Sequence, residues 1–166
     1  MSSPFHPSYH SQVFRMSAAL LAEATKPFHR KLLDEAQHSL ASGLNEMTVV
    51  LSQAASEMCT EWAITALFVL RDDADLAESI LGLFVVKDIC SDRVHRVFGA
   101  LSGDSPNQQP FWAQLKSHRD RRNRVVHRGL KASSSEAAES LASVKEYVHH
   151  LETVLCKLQA RQPPMT

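Results

Sequence analysis

Glycine is scarce in this chain, five in 166 residues, and no two of them form a Gly-rich phosphate loop. With hydrophobic residues at 44% and no segment alternating apolar and polar positions, that scarcity argues against an all-β or disordered chain and for a helical one. Cysteine is equally sparse: Cys59, Cys90 and Cys156 are an odd count with no paired spacing. They exclude a disulfide framework and a Cys-x-x-Cys metal site, and suggest buried thiols in a reducing cytoplasm. The longest nearly apolar run, Trp62 to Leu70, is about half of what a bilayer requires, so no membrane association is expected. Neither a His-Glu-x-x-His nor a Gly-x-Ser-x-Gly motif occurs. His6 with His10 and the adjacent His149 and His150 are poor metal pairs, the latter diverging by about 100° on a helix. No metal and no cofactor are expected.

Net charge is also missing, with 18 Lys/Arg against 18 Asp/Glu. Its distribution is uneven. Between Lys116 and Lys131 lie seven basic residues and one acid, Asp120, so this segment is +6 and the remainder −6. A basic face on an acidic body suits a localised anionic ligand better than a long track along duplex nucleic acid.

The punctuation along the chain predicts an all-α fold: an antiparallel four-helix-type bundle with an additional short motif helix and an irregular N-terminal leader. Residues 1–25 read as a partly irregular extension, with a short helix over 11–24, residues 26–161 as the helical domain, and 162–166 as a disordered tail. Pro27 opens a helix that Gly43 closes. A long helix follows from Asn45 to about Arg71. The next is expected as one piece from Ala74 to about Leu101, and the turn formers of 102–110 make a loop. The motif helix runs from Phe111 to about His127 and ends near Gly129. Ser133 and Glu136 have capping-box spacing and open the last helix, to about Ala160.

The basic segment contains Arg122, Asn123 and His127, a fixed cation, an amide and a group that ordinarily titrates near neutral pH. Continuing the apolar stripes of Trp112, Leu115, Val125 and Val126 lands on Arg122 and predicts an inward arginine. An inward guanidinium needs carboxylates or an anionic ligand. The helix from Asn45 offers Glu57 and Glu61 on one stripe, so Glu57 is expected to face Arg122. Residues five apart point about 140° away from each other, so Arg122 and His127 should not share a face, whereas Asn123 and His127 should. A structural ion pair between Arg122 and Glu57 explains these residues as well as a functional site does.

The stretch from Leu115 to Gly129, followed by a capped helix, resembles the signature of HEPN domains, helical bundles whose ribonuclease members carry Arg, a polar residue, three others and then His. Arg122, Asn123 and His127 match that pattern. The helix bearing Glu57 and Glu61 looks like the second bundle helix, and the resemblance covers roughly Pro27 to Leu158. It implies a metal-independent endoribonuclease acting as a homodimer, both chains' motifs lining one cleft. A related HEPN group carries a tyrosine, modified by a partner nucleotidyltransferase, shortly after the histidine. Here Arg128, Gly129 and Leu130 stand there.

RNA cleavage needs a base for the 2′-hydroxyl, an acid for the leaving oxygen and a cation for the growing phosphorane charge. His127 is expected to move protons, Arg122 to stabilise charge, Asn123 to orient either phosphate or imidazole, and Glu57, with Glu61, to support Arg122. Arg119, Arg121, Arg124 and Arg128 are candidates for binding substrate. The expected protein is a cytoplasmic toxin or defence effector acting on RNA, with an antitoxin such as a nucleotidyltransferase as a possible partner. The competing expectation is a non-catalytic HEPN module that binds RNA, a nucleotide or a partner protein through the same basic face.

Overall fold

The computed structural model describes residues 26–84 and 87–161. The leader, the helix expected over 11–24 and the C-terminal tail lie outside the described residues. Among the described residues there are six α-helices and no strand: α1 (Phe28–Ala41), α2 (Asn45–Val69), α3 (Ala74–Gly82), α4 (Asp92–Ser102), α5 (Trp112–Arg128) and α6 (Ser134–Gln159). A 3-10 turn, Pro106–Gln108, precedes α5. The chain is all-α, as its composition and punctuation predict.

Local chemistry explains several helix ends. Pro27 precedes the first residue of α1, where a missing N–H costs nothing. Gly43 takes φ 72° after that helix, and the amides of Gly43 and Leu44 return to the carbonyls of Leu40 and Ser39. Gly129 closes α5 with φ 63°. Ser133 and Glu136 form the reciprocal capping box at the start of α6.

Four helices make the frame. His29 at the start of α1 meets the Trp62 ring near the end of α2, centroids 5.0 Å apart, so these two run antiparallel. Phe111 and Arg121, before and within α5, meet Tyr147 and Ser140 of α6 in reverse order, again antiparallel. By contrast, α2 and α6 run parallel: Val49 clusters with Ala137, and Thr60 shares a 2.7 Å hydrogen bond with Tyr147. They are the diagonal pair of an up-down-up-down bundle and meet at its centre. Ala55, Cys59, Ala63, Ile64 and Leu67 of α2 pack there with Leu141, Val144, Tyr147, Leu151 and Leu155 of α6. Small residues on α2 let the two axes approach closely.

The single helix expected from Ala74 to Leu101 is instead two short ones, α3 and α4, separated by residues 83–91. Asp88 is the reason that is visible. Its Oδ1 accepts from the Cys90 amide at 2.9 Å, an Asx-type turn, and Ser91 then starts α4 in an extended conformation. Ile89 is driven into the core, 1% exposed. The motif helix α5, expected as an addition to the bundle, is one of its four frame helices.

Candidate functional site

Helix α5 is held on one side by α6 and on another by α2. Its buried positions are Leu115, His118 and Arg121, with Val125 half-buried against Val49. The inward arginine is therefore Arg121, which corrects the expectation for Arg122. Arg121 and Arg122 stand about 100° apart around the helix axis, on either side of the line through His118 and Val125. Partner acids decide which is enclosed. Arg121 donates from Nη1 to Ser140 Oγ at 2.6 Å and from Nη2 to Glu139 Oε2 at 3.1 Å, with Glu136 Oε1 at 3.6 Å from Nε. It is 8% exposed. Its place is structural, not on an open substrate-binding surface.

Arg122 leans the other way and is half-buried. Its Nη1 donates to Asn123 Oδ1 at 3.2 Å and lies 3.4 Å from His127 Nε2. The expected separation of Arg122 from His127 does not occur. The helix runs unbroken to Arg128, and the long arginine stem covers the distance that the backbone phase leaves open. A guanidinium has no acceptor, so this contact needs Nε2 of the imidazole to be unprotonated, with the proton on Nδ1. Asn123 and His127 are both exposed.

Glu57 does not form the expected ion pair with Arg122. Both line a cleft of about 270 Å³, on opposite walls, together with Gln53, Asp88, Arg119 and Asn123. Glu57 accepts from Gln53 Nε2 at 2.8 Å, and it has no basic partner within 4.0 Å among the described residues. Glu61 is elsewhere: it pairs with Lys87 Nζ at 2.6 Å and lines a separate cavity with Thr65 and Glu78. Its expected support of Arg122 is thus corrected, because one helical turn beyond Glu57 the wall faces α3 rather than α5.

The other arginines divide. Arg119 lies beside Asp88 and Asp120 and reaches the Cys90 carbonyl. Arg124 donates to Glu136 Oε1 at 3.0 Å. The Ser133 amide and the Arg124 guanidinium together hold the Glu136 carboxyl below its ordinary range. Arg128 is exposed at the end of α5. Three of the seven bases of this segment are thus paired locally, and among its arginines Arg122 and Arg128 have no carboxylate within 4.0 Å among the described residues.

Sequence periodicity missed Gln53, Asp88, Ser91 and His118. His118 is 1% exposed, and neither ring nitrogen has a hydrogen-bond partner. Burial, with the neighbouring Arg121 and Arg122 cations, pushes its pKa down to about 4, so it is neutral at pH 7. Its spacing of three from Leu115 and from Arg121 was the available signal. Among the described residues no group of three or more His, Cys, Asp or Glu is placed to hold a metal ion. His150 is engaged with Asp104 at 2.8 Å. No helix among the described residues is long and apolar enough to cross a membrane.

No family model, no curated protein and no solved structure matches this chain.

Proposed function

We propose that this protein is a HEPN-type endoribonuclease that cleaves RNA without a metal, working as a homodimer in the cytoplasm. The observation that carries the reading is the joining of Arg122, Asn123 and His127 through one guanidinium at the open end of α5, beside a polar cleft. That constellation has what transesterification needs. The unprotonated Nε2 of His127 takes the proton of the 2′-hydroxyl, whose oxygen attacks phosphorus as the bond to the 5′-oxygen breaks. Arg122 turns from the imidazole to the phosphate oxygens, where charge accumulates, and Asn123 steadies it. The products are a 2′,3′-cyclic phosphate and a 5′-hydroxyl.

One chain supplies one imidazole of this kind, and the leaving oxygen needs a proton. A second copy brings a second His127 to the same phosphate. In favour of such pairing, apolar side chains are exposed around the motif: Val126 and Leu130 at the end of α5, and Met47 and Val50 on the first turns of α2 beside it. A role as a toxin or defence effector, restrained by a protein partner such as a nucleotidyltransferase, follows from the same reading.

The test is cleavage of total cellular RNA in EDTA by wild type and His127→Ala, with product ends identified and dimer mass measured for both. Cleavage by wild type alone, leaving cyclic phosphate ends, is the expected result. Intact RNA with both, from folded protein, would replace this reading with a non-catalytic module that binds RNA, a nucleotide or a partner protein through Arg122 and Arg128.

A further inference from the structure

The cleft between α2 and α5 has a charge arrangement that a structural ion pair would not leave. Arg122 stands on one wall and Glu57 on the other, and the two do not meet within 4.0 Å. Bringing opposite charges together is favourable when nothing else engages them. Here each is held back by a neighbour on its own helix: Gln53 Nε2 donates to Glu57 Oε1, and Asn123 Oδ1 takes one hydrogen of Arg122. Gln53 is itself 5% exposed, so its amide is fixed, and the hydrogen bond it gives Glu57 orients that carboxylate. Asp88, the other acid of the cleft, is committed to the Cys90 amide and to Arg119. Glu57 is the acid left with acceptor capacity.

A ligand that fills this gap has to offer an anion to one wall and adjacent N–H donors to the other. Its size is limited as well, since about 270 Å³ is at the small end for ligand pockets, room for one planar base. A nucleotide fits both demands, and the four bases do not fit equally. Guanine alone presents two neighbouring donors, N1–H and N2–H, in the spacing of the two carboxylate oxygens. Adenine and cytosine put an acceptor nitrogen beside their amino group, and uracil flanks its N3–H with two carbonyl oxygens. A carboxylate repels those acceptors. The side-chain Oε1 of Gln53, which takes no hydrogen bond among the described residues, can accept the second hydrogen of the N2 amino group.

We infer that the α2–α5 cleft is a guanine subsite, in which Glu57 reads the N1–H and N2–H edge while Arg122 holds the 3′-phosphate of the same nucleotide. This inference rests on the ribonuclease reading for its consequence, cleavage after guanosine, but the binding itself does not require catalysis. Glu57 is a specificity-determining residue here rather than a prop for Arg122. Among the described residues no aromatic side chain lines the cleft, so hydrogen bonds to the base edge, not stacking, carry the discrimination.

The experiment is calorimetric titration of the full chain with guanosine, adenosine, cytidine, uridine and inosine 3′-monophosphates, repeated with Glu57→Gln. Glutamine keeps the shape and the bond from Gln53 but replaces one acceptor by a donor. Guanosine 3′-monophosphate is expected to bind about tenfold more tightly than the other three natural nucleotides. Inosine 3′-monophosphate, which lacks the N2 amino group, should fall between. In Glu57→Gln the preference should disappear while the phosphate-driven binding remains. Equal binding of all five nucleotides by wild type overturns the inference, and so does a guanine preference that survives Glu57→Gln. If the variant does not fold, the wild-type series decides alone. Cleavage of RNA at all steps alike sinks the guanine subsite and spares the nuclease. Guanine-selective binding by a protein that cleaves nothing does the reverse.

Discussion

The Arg121 guanidinium is bonded to Ser140 Oγ at 2.6 Å inside the α5–α6 interface, one residue before an arginine that opens onto a cleft. Two adjacent and identical side chains thus carry separate duties, which substitution can pull apart. Arg121→Ala removes one cationic partner from Glu136 and Glu139, leaves the buried Ser140 hydroxyl without its donor, and opens a gap between helices. Because both acids are partly exposed, the loss should be smaller than for a fully buried pair, about 2 kcal/mol in urea unfolding. Arg122→Ala should change stability by less than about 0.5 kcal/mol yet abolish RNA cleavage. Equal stability losses would contradict the division of roles.

His118 should make the fold sensitive to mild acid. Its folded pKa, about 4, is below the ordinary 6.5, so between those values the unfolded chain binds the extra proton. Stability therefore falls as pH drops from about 6.5 towards 4, by roughly 3 kcal/mol at most, and this contribution levels off below 4. His118→Leu should flatten this window and stabilise the fold, since both ring nitrogens lack partners. Unfolding curves at a series of pH values check the slope. The carboxylates held low by hydrogen bonds, Glu46, Glu136 and Glu152, act in a different range. Their stabilisation is present above their unfolded pKa and is lost as pH falls through the folded one, below about 4.5, so the two effects are separable.

Tyr147→Phe tests the centre of the bundle. Thr60 Oγ1 donates to the Ser56 carbonyl, which makes the buried Tyr147 hydroxyl the donor in their shared bond. Removing it should cost about 1 kcal/mol and leave the helical circular-dichroism signal unchanged.

Thiol labelling should distinguish the three cysteines. Cys156 is exposed, whereas burial pushes the Cys59 thiol far up and the Cys90 thiol to about 12. At pH 8 Cys156 should react rapidly and the other two only as the fold opens. Fast modification of Cys59 in native protein would mean that α2 is not seated as described.

What the sequence made legible was chemistry of short range. Pro27, Gly43, Gly129 and the Ser133–Glu136 pair each act on backbone groups within a few residues, so their effects needed no knowledge of neighbours. The break at Asp88 was equally local but was overridden by the apolar periodicity of Ala74 to Leu101. The assignment of Arg121 and Arg122 was of another kind. Both flank the buried face of α5, and the choice between them belongs to Glu136 and Glu139, acids on a helix the motif does not include. Reading only apolar residues also passed over His118, which occupies the middle of that face. Gln53 and Glu57 were on the right helix, yet their function as a wall opposite Arg122 depends on how far α2 and α5 stand apart, which no spacing within one helix encodes.

The connector from Leu83 to Ser91 has a consequence for how such a protein can diversify. Of the cleft's walls, α2 and α5 are locked into the frame by the packing of their other faces. Asp88 and Ser91 belong to a segment outside that frame and still border the cleft. Around the buried Ile89, the exposed positions of such a connection can drift at small energetic cost. Substrate preference can therefore be rewritten from the rim, one turn at a time, while the four helices and the residues that would do the chemistry stay as they are.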